Sequence, residues 1–410
     1  MLNPLFFIAC APFRVKRCAL LPLGFGANPL DLFAAMHKME VGGAWVSTTT
    51  DPIGDRMLNT LETYNSAWTD LNAALRAREA ATGLGGVISA LEENQRQTGF
   101  IKDQLSGVER HVFSHPDDVS LFFRVQFNAK RLARFNGAGV SAPPEGLVAA
   151  HDGCFLCREN VMWQQQGAEL GYALDVNGQP FHAWMNPFPL LPSHVVMASA
   201  IHETQEWAYA PDGGVQIKRV VRDLVSLASR MPSYLGFYNG VNAGASIPGH
   251  LHYQFFKRPE DGADFPLEAR LRGRNDEGDA PIIAADYPVP VVKWTGAPDE
   301  VVDAAVRWIN HWAAQNEDRI YRLTANIIVS AGPEGDVDLY FVPRDRTRNR
   351  GKAMSGLVGG LELLGEVVMS SPEERHALDN GEIDYFIIEN ILSSVRTPLF
   401  AQLDAKAAAS

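Results

Sequence analysis

The segment that decides the fold reads Tyr238-Asn-Gly-Val-Asn-Ala-Gly-Ala-Ser-Ile-Pro-Gly-His250-Leu-His252-Tyr-Gln254-Phe-Phe256. Two imidazoles and a carboxamide alternate here with apolar residues. Such alternation predicts a strand, on which residues two apart share one face. His250, His252 and Gln254 would then line a polar face, while the other face packs on a core. The small residues of the preceding loop allow backbone N–H groups to approach an anion closely.

A neutral imidazole is a competent nucleophile, and a covalent intermediate divides one difficult displacement into two easier ones. A phosphorus atom with a good leaving group is a suitable target. The alternative is structural, because two histidines on a strand can simply be half-buried polar residues. The residues around them favour the chemical interpretation.

The order Asn239, Gly240, Asn242, Gly244, Ser246, Pro248, His250-x-His252-x-Gln254 resembles the active-site segment of the galactose-1-phosphate uridylyltransferases, a branch of the histidine-triad superfamily. The resemblance implies that His252 attacks the nucleotide α-phosphorus and that Gln254 replaces the last histidine of the triad. It also implies that the residues of the loop that contact substrate are Asn239, Asn242, Gly244 and Ser246. Gly249 is an extra residue relative to the family pattern. The Leu-His-Tyr-Gln-Phe-Phe part is also similar to sugar-nucleotide phosphorylases of the GDP-L-galactose phosphorylase type.

Size and composition limit the class of protein. The chain has 410 residues, of which 46% are hydrophobic, and this is enough for one or two large cores. The net charge of −12 argues against a nucleic-acid partner, and no apolar run is long enough to span a membrane. Four cysteines are too few for a disulfide scaffold. We therefore expect a cytoplasmic protein with reduced thiols.

A Cys-x-x-Cys at Cys154 and Cys157 is either a redox pair or half of a tetrahedral metal site. No thioredoxin-like pattern precedes it, which favours a metal, and the candidate histidines are His194, His202 and His250. The resemblance to the uridylyltransferases implies a Zn²⁺ site made by Cys154, Cys157, His202 and His250, with His194 structural. Four protein ligands would close the site, so that zinc stabilises the fold and orients His252. Two ordinary buried cysteines are the alternative.

Two further segments are candidates for substrate contacts. Asn186 and Phe188 resemble the family's Asn-x-Phe-Pro, which meets ribose and base, although an Asn-Pro pair is also typical of a turn. A strand predicted over residues 119–127 ends at Asn128 and is followed by Arg131. Amide and basic groups at that position suit contact with a phosphate group. The alternative is that these residues are solvated charges on the surface.

The C-terminal part carries five cations in residues 344–352, including Arg344 and Lys352. They suit a sugar-phosphate pocket in an acidic protein, or a solvated loop. The segment after them resembles the uridylyltransferase segment in which a Glu binds hexose hydroxyls. The segment here contains one inserted residue relative to that pattern, and Glu362 is the candidate for the hexose contact.

The predicted fold class is α+β, with histidine-triad-like antiparallel sheets and packed helices. Residues 1–35 are expected to be disordered or a mis-called extension, and residues 36–118 form a helical N-terminal subdomain. A catalytic half with the zinc site covers residues 119–275, and a related non-catalytic half covers residues 276–403. The family resemblance is good over residues 120–260 and weak over 340–375.

The resulting hypothesis is a nucleotidyltransferase that moves a nucleoside monophosphate from a sugar nucleotide to a sugar 1-phosphate through a nucleotidyl-histidine. Gln254 can donate a hydrogen bond but is a poor proton shuttle, which favours transfer over hydrolysis. One alternative is a phosphorylase that uses inorganic phosphate on an NDP-sugar or dinucleotide. Another is a zinc-stabilised binding protein without turnover. The expected partners are a sugar nucleotide and a phosphorylated acceptor, with a homodimer as one candidate assembly.

Overall fold

The structure is a computed structural model that describes residues 53–101, 105–136, 142–206, 216–259, 263–273, 281–284, 286–349 and 357–400. The chain divides into two compact units, Met1–Gly54 and Asp55–Ser410. The disorder predicted for residues 1–35 lies outside the described residues, as does the tail after residue 403. All that follows concerns the second unit.

The N-terminal region of this unit is one long helix, α1 (Ile53–Gln97). The sequence predicts a break near Gly83, and Gly83 has φ 71° and ψ 178°, which are not helical values. Beyond this kink the helix buries Leu84, Val87, Ile88 and Leu91. These four residues recur at three- and four-residue steps, so they form one apolar stripe that docks on the rest of the unit.

The centre of the unit is a nine-stranded sheet whose neighbouring strands are all antiparallel. In chain order its strands are β3 (Tyr172–Val176), β4 (Gln179–Met185), β5 (Val195–Ser199), β6 (Tyr234–Asn239), β7 (His252–Lys257), β8 (Ile282–Ala284), β9 (Val291–Gly296), β10 (Leu323–Ala331) and β11 (Val337–Asp345). The spatial order is β3-β4-β5-β7-β6-β10-β11-β9-β8.

A second, three-stranded sheet has the order β1-β2-β12. It consists of β1 (Glu109–Ser114), β2 (Phe122–Phe127) and β12 (Glu366–Met369). The strand predicted over residues 119–127 therefore begins at Phe122. β12 runs parallel to β2, with Glu366 opposite Arg124.

The remaining helices pack around these sheets. They are α2 (Arg158–Gln164), α3 (Ile217–Arg230), α4 (Pro266–Leu271), α5 (Pro298–Ala314), α6 (Gly360–Leu363), α7 (Pro372–Asp379) and α8 (Tyr385–Ser393). Short 3-10 turns cover Ala129–Asn136, Ala150–Gly153, Glu317–Arg322 and Pro398–Phe400. No helix in the described parts of the chain is both long enough and apolar enough to cross a membrane.

The large sheet is covered on both faces, because neighbouring residues of one strand belong to different cores. Phe255 and Ile327 pack in the core formed with α1, α3 and α5. Phe256 and Ile328, the next residues along β7 and β10, pack in the core formed with the C-terminal helices. Side chains of a strand point alternately to its two faces, so a sheet with apolar residues on both faces must be sandwiched.

The predicted α+β class, with antiparallel sheets and packed helices, is confirmed. β6 pairs with β10, so strands from the segments 119–275 and 276–403 lie in one continuous sheet. The apolar periodicity of the sequence also predicts helices over residues 301–315 and 214–230. In the structure the first spans Pro298–Ala314, and the second begins at Ile217.

Candidate active site and metal centre

The decisive segment forms a loop that leads into β7, and the strand begins at His252. The sequence predicted that His250 lies on the strand, but in the structure His250 precedes it. A turn holds it there, because its N–H donates to the carbonyl of Ile247 (3.3 Å) while the N–H of Leu251 donates to the Glu203 carbonyl (2.6 Å). The two histidines consequently face different surroundings.

His252 lines a cavity of about 610 Å³ and is 3% exposed. Its Nδ1 lies 2.8 Å from the His250 carbonyl oxygen. A carbonyl can only accept a hydrogen bond, so Nδ1 carries the proton and Nε2 keeps its lone pair. Burial lowers the pKa of His252 to about 4, which leaves the ring neutral at pH 7. The side chain thus has the form that a nitrogen nucleophile requires.

Gln205 fixes the main chain of His252, a role that sequence reasoning missed. Its Oε1 accepts the His252 N–H at 2.7 Å, and its Nε2 donates to the His252 carbonyl at 2.9 Å. The same Nε2 also donates to the carbonyl of Asn239. Gln205 is fully buried between two strand ends. Its place three residues after His202 is visible in the sequence, but no spacing rule assigns a role to a glutamine at that position.

The amide of Gln254 is oriented by His194. The N–H of Leu190 donates to His194 Nδ1 (3.1 Å), so the proton of His194 must be on Nε2. His194 Nε2 then donates to Gln254 Oε1 at 2.9 Å. Burial lowers the pKa of His194 to about 3, which keeps this arrangement neutral. As a result, the NH₂ group of Gln254 is available as a donor at the cavity wall.

The cavity brings together most of the residues that the sequence singled out for catalysis or substrate binding. Besides His252 and Gln254, the predicted residues that line it are Arg131, Asn186, Phe188, Asn239, Gly244, Ser246 and Glu362.

The loop before His250 packs closely against the C-terminal segment. Gly244 has φ 98°, and a Cβ there would lie 2.6 Å from the Gly359 Cα. Any other residue would be strained and would push this wall outward. Asn239 Oδ1 accepts the N–H of Gly360 at 2.9 Å, which fixes the same contact. Ser246 is exposed at the cavity mouth.

The Asn-Pro segment is both a turn and a wall of the cavity. Asn186 Oδ1 accepts the N–H of Phe188 at 2.9 Å, which is the side-chain contact expected of a turn residue. The guanidinium of Arg131 donates to the Phe188 carbonyl and holds this turn from the other side. The turn interpretation of the Asn-Pro pair therefore applies, and the contact of Asn186 and Phe188 with ribose and base stays a prediction for two residues that line the cavity.

Five of the predicted substrate contacts do not line the cavity, lie outside the described residues or are engaged differently. Asn128 and Asn242 do not line the cavity, and Lys352 lies outside the described residues. Arg344 is fully buried and donates to Asn326 Oδ1 (2.8 Å) and the Val358 carbonyl (3.0 Å). Glu362 does line the cavity, but one of its oxygens accepts the Gly359 N–H at 2.9 Å.

The four predicted metal ligands lie together beside the cavity. The ligand atoms of Cys154, Cys157, His202 and His250 are all within 4.8 Å of one another. Cys154 Sγ is 3.3 Å from His250 Nδ1, and Cys157 Sγ is 3.3 Å from His202 Nδ1. At zinc distances of about 2.3 Å to sulfur and 2.0–2.1 Å to nitrogen, a tetrahedral ion separates S and N by about 3.6 Å. The cluster therefore has nearly the size that such an ion requires.

The protonation of the cluster also suits a metal. His250 Nε2 lies 2.7 Å from the Ser199 carbonyl and must donate to it, so the lone pair of Nδ1 points at the sulfurs. A hydrogen bond donated by the Cys157 thiol lowers the pKa of Cys154 to about 3. Cys154 is thus a thiolate, the form that binds a metal.

The cavity is also lined by residues for which the sequence predicts no site. Phe100 follows α1, Glu169 precedes β3, and Trp184 lies on β4. Motifs could not identify them, because none of the three is part of a matched motif.

Comparisons with known proteins find one family model that matches part of the chain, and solved structures that are similar to it. The model of a domain of unknown function, DUF4922, matches residues 92–257, a range that contains the four cluster residues, His252 and Gln254. No curated protein matches the chain.

Among solved structures, the chain is similar to yeast Ap4A phosphorylase Apa2, with 17% identity, 77% of this chain and 97% of that chain covered, and a TM-score of 0.47. For the complex of the yeast enzyme with AMP, the identity is 18%, the coverage is 75% of this chain and 96% of that chain, and the TM-score is 0.46. For its complex with Ap4A, the identity is 16%, the coverage is 75% of this chain and 98% of that chain, and the TM-score is 0.49.

Proposed function

We propose that this protein is a nucleotidyl-transferring enzyme in which His252 carries the nucleotide and inorganic phosphate is the acceptor. The observation that carries the proposal is the pair formed by His252 and Gln254 at one cavity wall. His252 has its Nε2 lone pair available, and the Gln254 amide is held with its NH₂ group available. A nucleophile beside a fixed donor is the arrangement that phosphoryl transfer needs.

In the first step, His252 Nε2 attacks the α-phosphorus of a sugar nucleotide or dinucleotide. The bond from that phosphorus to the bridging oxygen breaks, and the sugar 1-phosphate or nucleotide leaves with both bonding electrons. In the second step, an oxygen of inorganic phosphate attacks the same phosphorus and releases the histidine, so that a nucleoside diphosphate leaves. Gln254 donates to the phosphoryl oxygens during both steps, and Arg131 supplies positive charge at the same cavity.

The geometry favours inorganic phosphate over a hexose 1-phosphate as acceptor. Glu362, the predicted hexose contact, uses one carboxylate oxygen to accept the Gly359 N–H. Arg344, the predicted sugar-phosphate contact, is buried among main-chain and amide acceptors. Both residues maintain the cavity wall, so fewer groups remain for a hexose. The similar yeast enzyme is itself named a phosphorylase.

Zinc is the metal that we propose for the cluster. Cys154, Cys157, His202 and His250 would hold it, and four protein ligands leave no open position for substrate or water. Bound there, the ion would supply structural stabilisation. Because the His250 side chain would hold the ion and the His250 carbonyl accepts from His252 Nδ1, a bound ion would support the orientation of the nucleophile.

The test is the intact mass of the protein after brief incubation with UDP-, GDP-, ADP- and CDP-sugars in the absence of acceptor. An added nucleoside monophosphate is expected with one or more of them and is expected to be absent in His252→Ala. His376→Ala, a change at an exposed histidine of α7, is the matched control and should keep the adduct.

The acceptor is identified by adding it to the isolated adduct. Inorganic phosphate should discharge the adduct and release a nucleoside diphosphate, whereas discharge by hexose 1-phosphate alone would return the assignment to the uridylyltransferase reaction. Binding of nucleotides without any adduct would favour the non-catalytic interpretation.

A further inference from the structure

Arg344 is a buried cation that the proposed reaction does not use. Its side chain is fully buried, and its hydrogen bonds go to neutral acceptors, which are Asn326 Oδ1 (2.8 Å) and the carbonyls of Val358 (3.0 Å) and Arg348 (3.3 Å). Burial lowers the pKa of Arg344 to about 10, so the guanidinium is still charged at pH 7. The field of Glu362 reaches it, but no carboxylate of the described residues forms an ion pair with it. A buried charge of this kind is costly to keep.

The guanidinium of Arg344 decides which way the amide of Asn326 points. A guanidinium has donors and no acceptor, so Asn326 turns its Oδ1 toward Arg344. Its NH₂ group then donates to the Ala243 carbonyl (2.6 Å) and to Asn239 Oδ1 (2.7 Å). The N–H of Gly360 donates to the same Oδ1 at 2.9 Å. Two donors therefore fix the oxygen of Asn239, and its NH₂ group points away from both.

The NH₂ group of Asn239 lies at the wall that carries His252. Gln205 Nε2 donates to the main-chain carbonyls of both residues, so the end of β6 and the start of β7 lie side by side. Phe237 pairs with Gln254 between these strands, and alternate residues of a strand share a face. Asn239, His252 and Gln254 accordingly all line the cavity.

The space beside this NH₂ group is open because residue 359 is a glycine. A Cβ on Gly359 would lie 3.1 Å from Asn239 Nδ2. The backbone of Gly359 has φ −114°, a value that any residue adopts, so the conformation alone does not require glycine. Within the described part of the chain, Asn239 Nδ2 donates to no other group, and Gly359 lines the same cavity. A fixed donor therefore faces room for a ligand.

We propose that Arg344 and Asn326 are positioning residues for the reaction, and that they hold the Asn239 NH₂ group as a second donor to the phosphoryl group that His252 attacks. This inference rests on the proposed function for the place of that group. Hydrogen bonds in a chain polarise one another, so a cation at the far end makes Asn239 a stronger donor to an anionic oxygen. A donor that is already oriented needs no rearrangement as charge develops.

The first test is Asn326→Asp, assayed by the rate of adduct formation at saturating nucleotide. The new carboxylate still accepts from Arg344, and now as an ion pair, but it has no hydrogen to donate to Asn239. The Asn239 amide should then reverse and present its oxygen to the cavity. We expect a loss of about 10²- to 10³-fold in rate, as for the removal of a donor to developing charge. Asn380→Asp, the same change at an exposed residue after α7, is the matched control and should keep the rate.

The second test separates the charge of Arg344 from its hydrogen bonds. Arg344→Gln can still donate to Asn326 and Val358 but is neutral, and it should slow adduct formation by about 10-fold because the polarisation of the chain is lost. Arg344→Lys restores a charge and should be faster than Arg344→Gln. Melting temperatures of both variants show how much each change costs the fold, which a purely structural role would affect without changing the rate.

The outcomes distinguish this inference from the proposed reaction. A wild-type rate in folded Asn326→Asp would overturn the inference and leave the reaction in place. If Asn326→Asp does not fold, the two Arg344 variants decide, and equal rates in both would overturn the inference. Wild-type protein that forms no adduct with any nucleotide would reject the reaction, and the inference with it.

Discussion

His250 and His252 are two residues apart and have different surroundings. His250 lies in a turn, with its ring between two sulfurs and the Ser199 carbonyl. His252 begins β7, with Nδ1 on the His250 carbonyl and its ring at the cavity. The difference arises because the chain changes from turn to strand between them. Identical side chains at a spacing of two therefore belong to the cysteine–histidine cluster in one case and to the cavity wall in the other.

The comparison is tested most strongly by removing the nucleophile. His252→Ala should reduce the rate of adduct formation by on the order of 10⁴-fold or more, because no other imidazole nitrogen is placed at this wall among the described residues. Metal content and melting temperature should stay close to those of the wild type, since none of the cluster contacts involves His252. Mass spectrometry, elemental analysis and thermal unfolding measure the three quantities. Loss of bound metal would contradict the separation of roles.

The complementary change is Cys154→Ser, which removes a sulfur that lies beside His250 and leaves His252 unchanged. Zinc should fall from one equivalent per chain to near zero, and the melting temperature should fall by roughly 5 °C or more. The same change at Cys10, which belongs to no predicted site, is the chemical control. Purified wild-type protein without metal would show that the cluster has another role.

Removing the fixed donor should have a smaller effect. Gln254→Leu is expected to slow adduct formation by about 10²- to 10³-fold, which is the usual loss for one donor to a developing charge. Single-turnover mass spectrometry at saturating substrate gives this rate. His194→Leu should give part of the same loss, because His194 only orients the amide. Equal and unchanged rates in both variants would exclude Gln254 from the reaction.

The smallest effect is expected for Gln205→Leu. His252 would lose two main-chain hydrogen bonds to this side chain, and we expect a loss of about 10-fold in adduct formation together with a stability loss of about 1–3 kcal/mol. Chemical denaturation and the adduct assay measure the two effects. A stability loss without any change in rate would show that Gln205 supports the fold alone.

Alternation predicted strands such as the one that carries His252 and Gln254, whereas the histidine-triad-like sheets were implied by the family resemblance. The cavity residues that the sequence located, such as Asn186 and Ser246, belong to segments with a family pattern. Arg344 was assigned to a sugar phosphate because a basic run looks alike whether it is solvated or buried, and only the fold shows that its guanidinium holds Val358. Gln205 was missed because its role depends on contacts across long sequence separations. The division of the chain into two halves stays a prediction.

The parallel pairing of β12 with β2 has a consequence for synthesis of the protein. It sets Arg124 opposite Glu366, and Val368 and Ser370 line the cavity. A ribosome that has completed β7 has already made every cluster residue and both His252 and Gln254. The nascent chain at that stage still lacks a wall of its cavity, and such distant pairings form late. Translation must therefore pass β12 before the cavity that contains His252 can be complete.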